Sequence, residues 1–356
     1  MKKKSRFKTR TLASRKLFLS TSFFLVLLFY AWIADAVYEV HLPSVENPVG
    51  LYSTEMQDDL TLTISKAINQ AEKSVTLVIF NLTDGKIISS LREKSCSDCE
   101  VKVICDFRNS SKLEAKLGPK VKILKRDIKG LMHIKMLIID NKQTWIGSAN
   151  MTRESLRHYG NLMTAIDSEP FAEMASSKAR SLSCNGETFL PITHRIFSLG
   201  PQNIELWFLP DDAFAVARLK KLIQGAKKSI RIAMFTWTRH DLAQEVINAN
   251  NRGIKVEVAI DKKSADGCGK LVVDMLLKGK INLRLSAGAP LLHHKGMVID
   301  GTTLVNGSAN WTKAAFTSND DCFIVVYPLL ETQRCYLNKM WNRIIADSTP
   351  AKRISD

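Results

Sequence analysis

HIKMLIIDNKQTWIGSAN (residues 133–150) and HHKGMVIDGTTLVNGSAN (residues 293–310) repeat one pattern at an offset of 160 residues. Each copy reads His, any residue, Lys, four residues, Asp, six residues, then Gly-Ser-Ala-Asn. His133 and Lys135 precede the apolar run Met136 to Ile139, and an extended chain puts positions i and i+2 on one face. The imidazole and the ammonium therefore point together, as do those of His293 and Lys295. Gly147 with Ser148 reads as a turn from which Ser148 or Asn150 begins a helix, offering backbone amides and a side-chain amide to an oxyanion. Ser308 and Asn310 repeat the arrangement.

The repeat extends outward from the motif. Ala71 to Phe80 matches Ala226 to Phe235, and Val101 to Asp106 matches Val256 to Asp261, both at an offset of 155. Five extra residues therefore lie between Asp261 and His293, around Gly267-Cys268-Gly269 or in Ser286 to Pro290. Helix-period segments (60–72, 216–227 and 243–250) alternate with short apolar strands (75–80, 230–235 and 256–260), the order of a layered α/β chain. The expected organisation is a leader over 1–37, a first α/β domain over 48–186, a join over 187–212 marked by Pro191, Gly200-Pro201 and Pro210, and a second domain over 213–330. A C-terminal helix with a polar end follows over 331–356.

At 356 residues the chain is long enough for two domains with full cores. Its formal charge is +16, but eight lysines and arginines fall in the first sixteen residues with no acid among them, leaving +8 for the rest. A mild excess of this kind suits an anionic partner, lipid headgroup or nucleic acid, and chooses neither. Residues 17–34 carry no charge behind that basic block, and Ala34-Asp35-Ala36 offers a small-x-small cleavage site. A cleaved signal and an uncleaved anchor are both open, with the anchor favoured; either delivers the body of the chain to the extracytoplasmic side. The seven cysteines are scattered and odd in number, which is no disulfide framework.

A phosphate diester is shielded by its own negative charge. Lys135 and Lys295 can neutralise it, one neutral imidazole can attack, and a second, protonated imidazole can supply the leaving alkoxide with a proton. Neither copy alone holds both a nucleophile and an acid. Duplication supplies one histidine for each side of a single phosphorus. No His, Cys or carboxylate cluster with metal spacing accompanies the motif, so neither a metal nor any other cofactor is expected. Asp140 and Asp300 belong to the same motif and so to the catalytic set, yet they end apolar strands, where support of the fold is the more natural task.

Both copies match, at every defining position, the HxKx4Dx6GSxN motif of the phospholipase D superfamily, and the resemblance covers roughly residues 50–330. It includes Phe208-Leu-Pro-Asp-Asp212, which is similar to a segment common in that family. The resemblance implies two duplicated α/β lobes related by pseudo-twofold symmetry, one site between them, and a phosphohistidine intermediate. It further implies His133 as nucleophile, His293 as general acid, and an acidic residue about eleven positions after the motif Asn that orients the opposite histidine. Asp321 fills that place in the second half. In the first half Asn161 stands there, where an amide can orient an imidazole only weakly.

Of the seven histidines only His133 and His293 fall in matching patterns. His294 lies one off the strand face and reads as a packing or supporting residue. Trp145, Trp237 and Trp311 near the motifs read as core. The leading functional expectation is a phosphodiesterase hydrolysing a phospholipid to phosphatidate at a membrane. The alternatives are a phosphatidyl transferase resembling cardiolipin synthase, an exported nuclease, and a catalytically dead scaffold, which the intact His and Lys pairs disfavour.

Overall fold

The computed structural model describes residues 40–183, 190–288 and 290–352, together with Val26. The apolar segment expected over 17–34 lies outside them apart from Val26. Among the described residues no helix is long and apolar enough to cross a membrane. From Leu42 onward the chain forms one compact unit.

The first half runs β1 (Val49–Ser53), α1 (Leu60–Gln70), β2 (Ser74–Ile79), α2 (Gly85–Lys94), β3 (Glu100–Asp106), α3 (Leu113–Leu117), β4 (Lys122–Arg126), β5 (Lys135–Ile139), β6 (Gln143–Gly147), α4 (Arg153–Arg157), β7 (Leu162–Asp167) and α5 (Glu169–Ser183). Its seven strands are ordered β1-β7-β6-β5-β2-β3-β4. The second half opens with the hairpin β8 (Arg195–Leu199) and β9 (Gln202–Leu209), then α6 (Ala215–Gly225), β10 (Ser229–Met234), α7 (His240–Asn251), β11 (Lys255–Ile260), α8 (Lys262–Asp266) and α9 (Lys270–Lys278). It closes with β12 (Asn282–Ser286), β13 (Lys295–Ile299), β14 (Thr303–Gly307), α10 (Lys313–Thr317), β15 (Asp321–Tyr327), α11 (Glu331–Ala346) and β16 (Ser348–Pro350). These strands form a nine-stranded sheet, β16-β12-β11-β10-β13-β14-β15-β9-β8.

Seven consecutive strands have the same order in both sheets, so the duplication read from the sequence is a duplication of topology. Period-2 alternation sorts each strand's apolar residues between layers. In β2, Val75, Leu77 and Ile79 face the outer core under α1 and α2, whereas Val78 faces the inner core. That inner core also takes Met136 and Ile138 from β5, Ile204 and Leu206 from β9, and Leu337 and Trp341 from α11. Across it, the Asn306 amide of β14 donates to Leu162 O and Thr164 Oγ1 of β7.

Two boundaries differ from expectation. The join over 187–212 contains β8 and β9, and β9 pairs with the whole length of β15 just as β1 pairs with β7. Proline and glycine there mark the ends and turn of a hairpin, with Gly200 at φ +56, instead of a linker. The polar tail likewise carries β16, paired with β12. The five-residue insertion is also settled: β4 begins sixteen residues after Asp106 and β12 twenty-one after Asp261, whereas β5 and β13 each begin nine residues after the preceding strand ends. The extra length is therefore in α8 and α9, not in Ser286 to Pro290.

Candidate active site

β5 runs antiparallel to β2 with Lys135 opposite Ile79, and β13 antiparallel to β10 with Lys295 opposite Met234. Both motif starts therefore lie where β2 and β10 end. Backbone bridges then tie each start to the opposite half. His133 N donates to Asp320 O at 2.8 Å and Asp320 N to Leu131 O at 2.9 Å; His293 N donates to Gly160 O at 2.9 Å and Gly160 N to Leu291 O at 2.8 Å. Two symmetry-related splices bring the four motif side chains into one buried cluster.

Within it, each histidine is oriented from the other half. His133 Nδ1 lies 2.8 Å from Asp321 Oδ1, and since a carboxylate only accepts, Nδ1 carries the hydrogen and Nε2 is left for chemistry. His293 Nδ1 lies 3.0 Å from Asn161 Oδ1. The Asn161 amide nitrogen donates to Ser155 O and Tyr159 O, which fixes its oxygen toward His293 and leaves Nε2 of that ring free as well. The rings also rest on equivalent aromatics, His133 on Phe80 at 5.3 Å and His293 on Phe235 at 4.8 Å between centroids. Lys135 Nζ and Lys295 Nζ lie over the same two rings at 5.3 and 4.7 Å, and each donates at 2.6 Å to the carbonyl of its own motif histidine.

Four basic side chains share this pocket with one carboxylate in hydrogen-bond contact. Burial holds Lys135 down at about 7 and holds Lys295 well below the usual ammonium value, with Lys135 adding to the effect on Lys295. Burial likewise lowers both imidazoles, aided by the lysines, while Asp321 opposes the shift on His133. Burial would raise the Asp321 carboxyl, but His133, Lys135 and the Ser308 hydroxyl outweigh it and keep it below its usual range. The cluster lacks negative charge. An anion bound among these side chains would supply it and would favour their protonated forms.

Some motif residues do other work. Asp140 and Asp300 are not in the cluster: each follows the far end of its strand, about 16 Å from the lysine at ~3.3 Å per residue. There each adopts φ +53 and accepts three backbone N–H bonds, Asp140 from Glu72, Lys73 and Ser74 and Asp300 from Lys227, Lys228 and Ser229. They clamp the entries of β2 and β10. Ser148 and Ser308 are fully buried, not open to substrate: Ser148 Oγ donates to Asn161 Oδ1 at 2.8 Å and Ser308 Oγ to Asp321 Oδ1 at 2.6 Å. Nor do Ser148 or Asn150 start the next helix, since Thr152 and Thr312 cap α4 and α10. Asn310 Oδ1 accepts from Thr236 N at 3.3 Å, whereas Asn150 Oδ1 is buried without a partner beside a cavity of about 310 Å³ lined by Asn81, Thr83, Tyr159, Phe235 and His293.

Several contributors escaped the sequence reading. Phe80 and Phe235 stood at equivalent places in the repeat, and that equivalence was the available signal. Asp106 and Asp261, also equivalent, accept from Met132 N and Leu292 N and so brace the residue before each histidine. Glu55, whose Oε1 lies 2.6 Å from His294 Nε2, had no signal, and it gives His294 a supporting place between the halves. Trp145, Trp237 and Trp311 are buried in the outer cores. Among the described residues no group of three or more His, Cys, Asp or Glu is placed to hold a metal ion.

The family described as "Cardiolipin synthase, PLD-like domain" matches residues 64–183 and 219–341, one match per half. A mitochondrial cardiolipin hydrolase of Chlamydomonas reinhardtii is 29% identical over 130 residues, covering 36% of this chain and 58% of that protein. A phospholipase D of Rickettsia conorii is 26% identical over 174 residues, covering 49% of this chain and 83% of that protein. The chain thus spans a little over half the length of the first of these relatives. In fold it is similar to the phosphatidylserine synthase of Haemophilus influenzae, with a TM-score of 0.69 at 12% identity over 87% of this chain and 88% of that one. With family matches across both halves and both motif copies complete, the chain belongs to the phospholipase D superfamily.

Proposed function

We propose that the protein hydrolyses a phospholipid at the headgroup-side ester, leaving phosphatidate, through a phosphohistidine on His133. The observation that carries the assignment is the unequal pair of orienting groups. A carboxylate on Nδ1–H stabilises the positive charge that an imidazole gains when Nε2 bonds to phosphorus, and an amide oxygen does so far less. In the first step a bond forms between His133 Nε2 and phosphorus as the bond to the leaving oxygen breaks, and the proton of the His293 imidazolium goes to that oxygen. In the second step His293 takes a proton from water, whose oxygen attacks phosphorus and releases His133. Lys135 and Lys295 hold the equatorial oxygens.

The lipid reading rests on the similarity to cardiolipin hydrolase and phospholipase D. The uncharged segment 17–34 behind its basic block supports tethering to a membrane with the body of the chain outside the cytoplasm. The cavity beside His293 is large enough for an alcohol other than water, which favours phosphatidyl transfer as the second reading. Full-length protein incubated with mixed phospholipids, and separately with single-stranded and duplex DNA, in water with a trace of ethanol tests all of this. Phosphatidate is expected. Abundant phosphatidylethanol gives transfer precedence over hydrolysis, and cleavage of DNA with intact lipids refutes the lipid reading.

A further inference from the structure

Scattered exposed apolar side chains are ordinary on a protein surface, and a gathering of them at one place is not. Phe107, 55% exposed, follows the end of β3; Leu271, 65% exposed, stands in the first turn of α9 beyond the end of β11; Phe214, 71% exposed, follows the end of β9. The registers put all three at one edge. β3 is parallel to β2, whose Ile79 pairs with Lys135; β11 is parallel to β10, whose Met234 pairs with Lys295; and Leu209 at the end of β9 pairs with Asp321. These are the strand ends that the two interlobe bridges draw together around His133 and His293. Val45, which is also exposed, belongs to the opposite edge, before the β1 end that pairs with Ile166.

Cations accompany Phe107 and Leu271, whereas Phe214 follows Asp211 and Asp212. Residues 107–112, 127–131 and 262–271 carry Arg108, Lys112, Lys129, Lys262, Lys263 and Lys270 against Asp127 and Asp266. Lys270 and Leu271 open α9, in the stretch where the second half has its five extra residues, and Lys262 occupies the place that Phe107 holds in the first half. The two flanks of the site are thus built differently from one duplicated plan, yet each presents exposed apolar surface with exposed lysine. That combination suits the boundary between anionic headgroups and acyl chains.

We propose that the edge bearing Phe107, Phe214 and Leu271 docks onto an anionic lipid bilayer, placing the histidine cluster at the headgroup level. The inference rests on the lipid reading above and specifies the face by which substrate is met in the membrane. The test uses the full chain bound to vesicles of phosphatidylcholine and phosphatidylglycerol whose acyl chains are brominated. Phe107→Trp, Leu271→Trp and, at the opposite edge, Gln224→Trp are compared with the parent protein, and hydrolysis of soluble bis(p-nitrophenyl) phosphate checks that each variant is folded. The emission added at positions 107 and 271 is expected to fall about twofold or more, since an interfacial side chain sits ~5–10 Å into the bilayer. That added at 224 should be unchanged. Equal, weak quenching at all three positions with the protein vesicle-bound overturns the proposal, as does a response of positions 107 and 271 to single-stranded DNA but not to vesicles. Quenching does not require turnover, so a failure of lipid hydrolysis would count against the proposed substrate and leave the docking face standing.

Discussion

The two halves of the site are alike in how they hang each histidine and lysine and unlike in the group that tunes the ring. His133 and His293 are spliced into the opposite half by the same pair of backbone bonds, rest on equivalent phenylalanines, and share the same lysine contact. They part company at Asp321 and Asn161, which occupy one place in the repeat and accept from equivalent serine hydroxyls, Ser308 and Ser148. Geometry is therefore duplicated while charge is not. A symmetric frame can still assign two chemical roles if one atom differs, oxygen anion against amide, at the back of each ring.

The comparison breaks most decisively at the rings themselves. His133→Asn and His293→Asn should each lower lipid turnover by about a thousandfold or more, with folding intact by circular dichroism. With a p-nitrophenolate leaving group, which needs no proton, His293→Asn should still release a burst of about one equivalent per site and then stall for want of the base of the second step, whereas His133→Asn should release none. Acid-labile phosphate label mapped to the His293 peptide would reverse the roles, and label on neither histidine would remove the covalent step.

A smaller effect belongs to the tuning groups. Asp321→Asn makes the two halves equivalent and should cost about a hundredfold or more in kcat, as other orienting carboxylates do. Asn161→Asp should change kcat by about tenfold or less while moving the limb of the pH profile that reports the acid to higher pH, because a carboxylate favours the imidazolium. Similar losses from both substitutions would mean that the asymmetry has no chemical role.

Asp140→Ala and Asp300→Ala sharpen the contrast between the two ends of one strand. Each should lower stability by about 1–3 kcal/mol through loss of charge-assisted backbone bonds and leave kcat within about twofold, read by urea denaturation and steady-state rates. A large fall in kcat at unchanged stability would restore these residues to the catalytic set.

The least effect is expected from the ammonium groups on folding. Lys135 falls from 10.5 to about 7 on burial. Between those values the unfolded chain holds the extra proton, so stability should rise with pH across that window and be flat for this group below it. Lys135→Met should flatten the rise and, at pH 7, raise the unfolding midpoint by about 2–4 °C, a gain of ~1 kcal/mol, while abolishing activity. A lowered midpoint would mean that the lysine stabilises the empty site.

Much of this was legible because the sequence states it twice. Strand and helix ends in the repeat came within about three residues of those observed, the motif located both His and Lys pairs, and the offset from the motif Asn found Asp321 and Asn161 as partners across the halves. Harder to read were residues whose task depends on distance along a strand or across a hairpin. Asp140 is five positions from Lys135 but at the other end of β5, and Ser148 faces Asn161 because β6 and β7 are antiparallel, which spacing alone does not tell. β8 and β9 were hidden by the prolines and glycine that bound them. Glu55 meets His294 from 239 positions away, a contact that only the closed fold creates.

The reciprocal splices at Gly160 with Leu292 and Asp320 with Met132 make this a site with joint ownership. Each half lends the other the strand edge on which its histidine hangs and the group that turns the ring, so neither half carries a weak version of the activity that the other improves. A chain nicked between the halves would keep its chemistry for as long as the pieces stayed together and lose it in one step when they parted. Activity at such a site would report closure of the whole molecule, with no partial credit for either lobe.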